Sequence, residues 1–236
     1  MRIVSLVPSA TESLLAWDVT PVAVTRFCEH PELLAVGGTK DPDVAAIVAL
    51  RPDLVVLCEE ENRREDANAL TEAGLATHVI RIGSVADVEV ELDRLAAAVA
   101  VDPLPGAELP APAPARATAL IPIWRRPWMT MSAGTYGSSM LAHLGVINVF
   151  ADASERYPTF TLADASGRRP DIVVAPSEPY PFSERHREEL EQVAPVVFVD
   201  GQDLFWWGVR TPSALARLAA VLEPITTSRP SPPRTA

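Results

Sequence analysis

The stretch Arg51-Pro52-Asp53-Leu54-Val55-Val56-Leu57-Cys58-Glu59-Glu60 has a second copy further along the chain, Arg169-Pro170-Asp171-Ile172-Val173-Val174-Ala175-Pro176-Ser177-Glu178. In each copy a proline-containing turn feeds a short apolar run that closes on polar residues. Leu54 to Leu57 is too short for a buried helix, so it reads as a parallel strand covered on both faces, and Ile172 to Ala175 reads the same way. The positions before the next strand, Ala73-Gly74 and Val193-Ala194, lie at nearly the same distance downstream. A repeat of this kind predicts two lobes of similar build. Two independent uses of one turn-plus-strand solution would leave the same trace.

Working outward, Ile3 to Val7 reads as a strand, and Ser9 with Glu12 has capping-box spacing for a helix running through Trp17. Val22 to Val24 is the next strand, followed by a helix from Asp43 to Leu50 with Asp41-Pro42 as cap and first turn. A helix from Arg64 to Ala73 ends at Gly74, Val79 to Ile82 forms a strand, and Ser84 caps a helix from Ala86 to Ala100. Pro103, Pro105, Pro110, Pro112 and Pro114 then make Val101 to Ala115 a semi-rigid, partly polyproline spacer. Alternation resumes with a strand from Thr118 to Ile123 and a helix from Ser138 to Leu144. The strand from Ile172 to Ala175, a helix from Ser183 to Gln192, a strand from Val196 to Val199 and a helix from Pro212 to Leu222 follow. The expected fold is α/β, with two lobes of similar build, each a mostly parallel sheet flanked by helices. The lobes are expected at 1–85 and 117–222, joined by a backbone helix and Pro/Ala-rich spacer at 86–116, with a disordered tail at 223–236.

Composition narrows the function. Of 236 residues, 48 % are hydrophobic and 22 % charged, which excludes a disordered chain and one built to sit in a membrane. A net charge of −11 and the absence of a basic tract argue against nucleic acid as a partner. No run approaches the length of a membrane span. Met1 to Pro8 lacks the features of a signal peptide, so the chain as written is expected in the cytoplasm, or at a periplasmic or extracellular face if a signal lies upstream. The two cysteines, Cys28 and Cys58, form no CxxC pair.

In parallel sheets ligands are met by the loops leaving the carboxyl ends of the strands. Those loops hold Trp124, Trp128, Trp206 and Trp207, four of the five tryptophans, with Tyr136 and Tyr180. Indoles supply flat contact area, and Arg63, Arg125, Arg126 and Arg210 supply fixed positive charge for anionic groups. Packing of the loops over the strand ends is the competing use of these tryptophans. Glu59-Glu60-Glu61-Asn62 directly follow a strand and read either as receptors for amide edges of a ligand or as a solvated charge run. Cys28, His30 and Cys58 form a minority metal grouping. No phosphate loop and no G-x-S-x-G elbow occurs, and no partnered base stands near Thr135, so a non-enzymatic role is expected.

The opening Arg2-Ile3-Val4-Ser5-Leu6-Val7-Pro8-Ser9-Ala10-Thr11-Glu12, then Val36-Gly37-Gly38-Thr39-Lys40 with Asp43 and Leu50 to Val55, resembles the vitamin B12 and chelated-iron binding components of bacterial ABC importers. Leu144 to Phe150 and Arg169 to Val173 extend the resemblance into the second half. These are the class III binding proteins, or helical-backbone metal receptors. The resemblance implies reversible binding of cobalamin or a related corrinoid in a cleft between the lobes, as a transport-type protein or a cytoplasmic carrier or sensor. The alternatives are a ferric chelate such as a siderophore or haem-like ligand, and an enzyme acting on a corrinoid or other cofactor. On this resemblance Phe27 and Cys58 join the aromatic loop residues as ligand contacts, the protein has no cofactor of its own, and it is read as a monomer. Glu65 and Glu184 are the expected contacts with a permease if the protein is exported. Two departures stand out: no export signal precedes the first strand, and a proline-rich spacer follows the backbone helix.

Overall fold

The computed structural model describes residues 1–102 and 108–226. It divides into two compact units, one made of 1–108 with 206–210, the other of 109–205 with 211–236.

The first unit carries four parallel strands, β1 (Ile3–Ser5), β2 (Ala23–Val24), β3 (Leu54–Cys58) and β4 (Thr77–Ile80), in the order β2-β1-β3-β4. Helices α1 (Pro8–Ala16), α2 (Val44–Leu50), α3 (Arg64–Glu72) and α4 (Asp87–Val99) accompany them. The second unit builds β5 (Ala117–Leu120), β7 (Val146–Asn148), β9 (Ile172–Pro176) and β10 (Val196–Val199) into a sheet of order β10-β9-β5-β7, again parallel. Read from the other edge this is second, first, third, fourth in chain order, the same winding as the first unit. A two-stranded ribbon of β6 (Trp128–Met129) and β8 (Thr159–Phe160) is added to it. So are helices α5 (Tyr136–His143), α6 (Leu162–Gly167), α7 (Arg187–Leu190), α8 (Gly201–Phe205) and α9 (Thr211–Thr226).

The repeated stretch is a structural repeat down to its hydrogen bonds. Arg51 and Arg169 both adopt left-handed backbone, at φ 47° and 51°, a conformation that costs a non-glycine residue about 1 kcal/mol. The aspartate two residues later holds the turn. Asp53 accepts the Arg2 N–H at 2.6 Å while its own N–H donates to Arg2 O. Asp171 accepts the Thr118 N–H and hydroxyl at 2.8 and 2.9 Å while its N–H donates to Thr118 O. In each unit the aspartate thus sets the register of the third strand against the first. Both strands are buried along their whole length, which is why neither shows alternation.

Each unit has its own core. Val4, Leu6, Ala23, Ile47, Val55, Leu57 and Leu70 pack together in the first. Leu120, Phe150, Phe160, Val173, Ala175, Phe182 and Leu190 pack together in the second. Burying a side chain of this size contributes about 1.5–3 kcal/mol.

Several local expectations are corrected. The Ser9–Glu12 capping box does not form, because Pro8 takes the first turn and Ser9 lies inside α1. Asp43 rather than Asp41 caps α2, accepting the Ala46 N–H at 2.9 Å. Ser84 does not cap α4; the Asp87 carboxylate instead accepts the N–H groups of Gly83 and Ser84 and the Ser84 hydroxyl. The fourth strand lies at Thr77–Ile80, shifted from Val79–Ile82. The helix expected from Ser183 is a 3-10 turn at Glu184–His186 leading into α7, and α9 continues to Thr226, past Leu222. Of the proline-rich segment, 103–107 lie outside the described residues, as do 227–236 of the tail. The remainder is anchored in the second unit. The Ala113 N–H donates to His143 O, the His143 ring bonds Pro110 O at 2.7 Å, and Arg116 donates through its N–H to Gly145 O and through Nε to Leu144 O.

Candidate functional site

The loops at the carboxyl ends of the strands are built differently in the two units. In the first unit Asn62 organises them. It is buried, its Oδ1 accepts the Cys58 N–H at 2.8 Å, and its Nδ2 donates to Leu6 O and Thr39 O at 3.1 and 2.9 Å. One amide therefore ties together the loops that follow β1, β2 and β3. Both of its donors are committed to carbonyls, so Asn62 holds the loops together rather than presenting a donor outward. Lys40, the chain's single lysine, donates to Glu60 O at 2.7 Å and joins the same two loops a second time.

The acidic stretch after β3 is only partly solvated. Glu59 pairs with Arg81 at 3.1 Å, and both side chains are well exposed. Arg63 turns away to Asp66 at 3.1 Å. Cys58 is enclosed, and burial, with Glu61 nearby adding repulsion, pushes its thiol up to about 12. The loop after β2 exposes Phe27 to 52 %, with the Arg26 guanidinium 5.0 Å from its ring centroid. Cys28 Sγ faces the other way, toward Thr11 Oγ1 at 3.4 Å and Thr25 Oγ1 at 3.6 Å. Among the described residues no group of three His, Cys, Asp or Glu is placed to hold a metal ion, so Cys28, His30 and Cys58 are not brought together.

The segment 206–210 belongs to the first unit and packs on α1. Gly208 has φ 111°, and a Cβ there would run into the Ser13 hydroxyl. The Val209 N–H donates to Ser13 Oγ at 3.4 Å. Arg210 forms a two-pronged ion pair with Glu12, at 2.8 Å for each prong, and lies over the Trp206 ring at 5.0 Å. Burial raises the Glu12 carboxyl above the usual range, and Arg210 works against that rise. Trp207 is buried, whereas Trp206 is half-buried.

In the second unit the structure gathers three of the aromatic residues singled out above, Trp124, Trp128 and Tyr180. Trp124, 43 % exposed, meets Tyr180 edge-on at 5.6 Å. Tyr180 contacts Phe182 at 4.7 Å, and Phe182 stacks on Trp128 at 6.0 Å with their planes 5° apart. Trp128 continues to Phe160, and Phe160 to Phe150. The chain of rings runs from solvent into the core, so Trp124 is its outer face and Trp128 its support. Arg125 sits 6.0 Å from the Trp128 ring and is ion-paired to Glu189 at 2.8 Å, while Arg126 is exposed. Tyr136 is withdrawn from this surface; it is buried with its hydroxyl 2.9 Å from Thr211 Oγ1.

Sequence reasoning missed His186. It is buried against Tyr180 and Phe182, at ring distances of 5.4 and 5.5 Å. Its Nδ1 accepts the Ser183 N–H at 3.2 Å and its Nε2 lies 3.4 Å from the Tyr180 hydroxyl. Burial, followed by Arg185 and Arg125, lowers its pKa below the ordinary imidazole value. The Ser183-to-His186 spacing at a helix start was the available signal. Beside it an open depression of about 460 Å³ is lined by Ser177, Phe182, Ser183, Glu184, Phe198 and Asp200, among others. Glu184 is exposed and paired with Arg187 at 2.6 and 2.8 Å. Glu65 is exposed at the start of α3 and makes no ion pair among the described residues.

Two units with the same parallel winding make up a fold that is shared with solved periplasmic binding proteins. The structure superposes on the periplasmic vitamin B12-binding protein of Vibrio cholerae with a TM-score of 0.74 and 18 % identity, covering 97 % of this chain and 98 % of that one. A periplasmic haem-binding protein from Pseudomonas aeruginosa gives 0.75 and 20 %, with 94 % and 92 % covered. In sequence, the chain is 24 % identical over 189 residues to the vitamin B12-binding protein of Salmonella typhi, covering 73 % of this chain and 71 % of that protein. A relative named in the same way from Vibrio parahaemolyticus is 24 % identical over 204 residues. No family model matches the chain. No helix among the described residues is long and apolar enough to cross a membrane.

Proposed function

We propose that this protein binds a corrinoid of the vitamin B12 type reversibly and without covalent chemistry. The likeness to curated proteins named for vitamin B12 supports the ligand class. The observation that carries the reading in the molecule itself is the Trp124–Tyr180 pair, an exposed indole set edge-on against a tyrosine and backed by rings reaching the core. Such a surface offers flat contact area to a macrocycle at little entropic cost, because its supporting rings are already immobile. Phe27 offers the first unit's exposed ring, and Trp206 a second, half-buried one. In this reading Arg126, which is exposed, meets an anionic group of the ligand, and Glu59 to Glu61 meet its amide edges. No enzymatic step is part of this proposal.

Glu65 is the better placed of the two carboxylates proposed to meet a permease, since Glu184 is already held by Arg187. A use in import places the protein outside the cytoplasm, and a carrier or sensor places it inside.

The test is a titration of the ligand-free protein with aquocobalamin and cyanocobalamin, following tryptophan quenching and heat. Saturable binding at one corrinoid per chain is expected. The likeness to a solved haem-binding protein favours haem as the second ligand to titrate. Saturation by haem with no corrinoid binding overturns the reading.

A further inference from the structure

The loop after β2 carries a part-exposed histidine paired with a carboxylate. His30 Nδ1 lies 3.0 Å from Glu32 Oε1, and the two side chains are 36 % and 65 % exposed. A carboxylate oxygen at that distance is an acceptor, so the contact directs the Nδ1 N–H to Glu32 and leaves Nε2 as the ring's outer nitrogen. This carboxylate–histidine pairing is how metal-binding imidazoles are oriented and made more basic.

The loop itself is fixed by hydrogen bonds along its backbone. Leu33 N–H donates to His30 O, Phe27 N–H to Thr25 Oγ1, Cys28 N–H to Thr25 O, and Arg26 N–H to Gly37 O. Arg26 further clamps Asp41 with two nitrogens at 3.0 Å. Cys28, the other donor atom nearby, points to Thr11 and Thr25 instead of outward. Phe27, with about half its surface free, stands three residues from the imidazole on the same loop.

We propose that His30 Nε2 is an axial ligand to the metal centre of the bound corrinoid. The assignment rests on the corrinoid reading above. The step is a ligand exchange: the imidazole lone pair forms a bond to cobalt, the bond from cobalt to water breaks, and water leaves with no change of oxidation state. His30 then distinguishes a corrinoid with an exchangeable water from one whose axial position is blocked by cyanide.

The experiment pairs calorimetry with the visible absorption spectrum during titration with aquocobalamin and with cyanocobalamin. Aquocobalamin should bind the unaltered protein with the spectral change of imidazole replacing water, and cyanocobalamin should bind with no such change. His30→Ala should keep cyanocobalamin affinity, lose the spectral change, and bring aquocobalamin to the same affinity as cyanocobalamin. Glu32→Gln should keep the spectral change and weaken aquocobalamin alone, by about tenfold. Aquocobalamin binding without the change in the unaltered protein, or with it intact in His30→Ala, overturns the assignment while leaving the corrinoid reading standing. Heat and quenching silent for both corrinoids overturn that reading and the assignment together.

Discussion

Arg210 and Glu12, 198 residues apart in the sequence, meet in a two-pronged ion pair at 2.8 Å with both side chains largely withdrawn from water. The pair fastens the segment 206–210 to α1 in the first unit, where Gly208 permits the close approach and Trp206 lies under the guanidinium. A carboxylate desolvated at this position depends on its partner. Arg210→Met should therefore cost about 1–3 kcal/mol in denaturant unfolding, and Glu12→Gln in the same background should restore part of the loss. Equal stability of the two variants would mean that the pair carries no weight.

Asn62 is the hub of three loops, so Asn62→Ala strands the Cys58 N–H and the carbonyls of Leu6 and Thr39. A loss of about 1–3 kcal/mol is expected. Ligand affinity should fall with it, because the carboxyl-end loops lose their common anchor. Calorimetric unfolding and a corrinoid titration on the same variant measure both.

Trp124 and Trp128 should separate cleanly. Trp124→Ala removes an exposed ring and should weaken corrinoid binding by at least about 1.5 kcal/mol with the unfolding midpoint unchanged. Trp128→Ala removes the ring stacked on Phe182 and should cost about 3 kcal/mol of stability. A double substitution is therefore unsuited to mapping the ligand surface.

The pH dependence follows from His186. Its pKa in the folded chain is lowered, so the unfolded chain binds the proton more readily. The contribution is fully present above the unfolded value of about 6.5 and is lost as pH falls from there through the folded value. His78, lowered by burial and then by Arg94, acts in the same direction. Glu12, whose pKa is raised, acts in the opposite one. Stability should fall between pH 7 and 5, and His186→Gln should flatten that slope in a series of thermal melts.

Cys58 should resist alkylation at pH 8 in the native protein, since its thiol is enclosed and ionises only near 12. Full modification should appear on unfolding. Rapid native labelling at Cys58, read by mass spectrometry, would contradict this placement.

The repeated Arg-Pro-Asp turn and its apolar run were enough to define the architecture. A wholly buried parallel strand needs a continuous apolar stretch, and the aspartate that locks each turn must stand directly before it. What failed locally were helix starts. At Ser9, Asp41 and Ser84 a suitable cap residue was present, but Pro8 starts α1 and leaves Ser9 inside it, Asp43 caps α2, and α4 begins after Ala86 with no side-chain cap. The short elements β6, β8 and α8 carry too few residues to show any period.

For the site, sequence alone determined which loops matter and that they are rich in indole and charge, because parallel strands deliver their carboxyl ends to one edge. Only the tertiary structure decided what each residue does there. Trp124 is outward and Trp128 inward although four positions apart, Tyr136 is spent on Thr211, Asn62 on three backbone groups, and Arg210 on Glu12. Burial and hydrogen-bond partners depend on contacts between residues distant in sequence, and no local pattern encodes which polar atom will find its partner inside the protein and which will be left to meet a ligand.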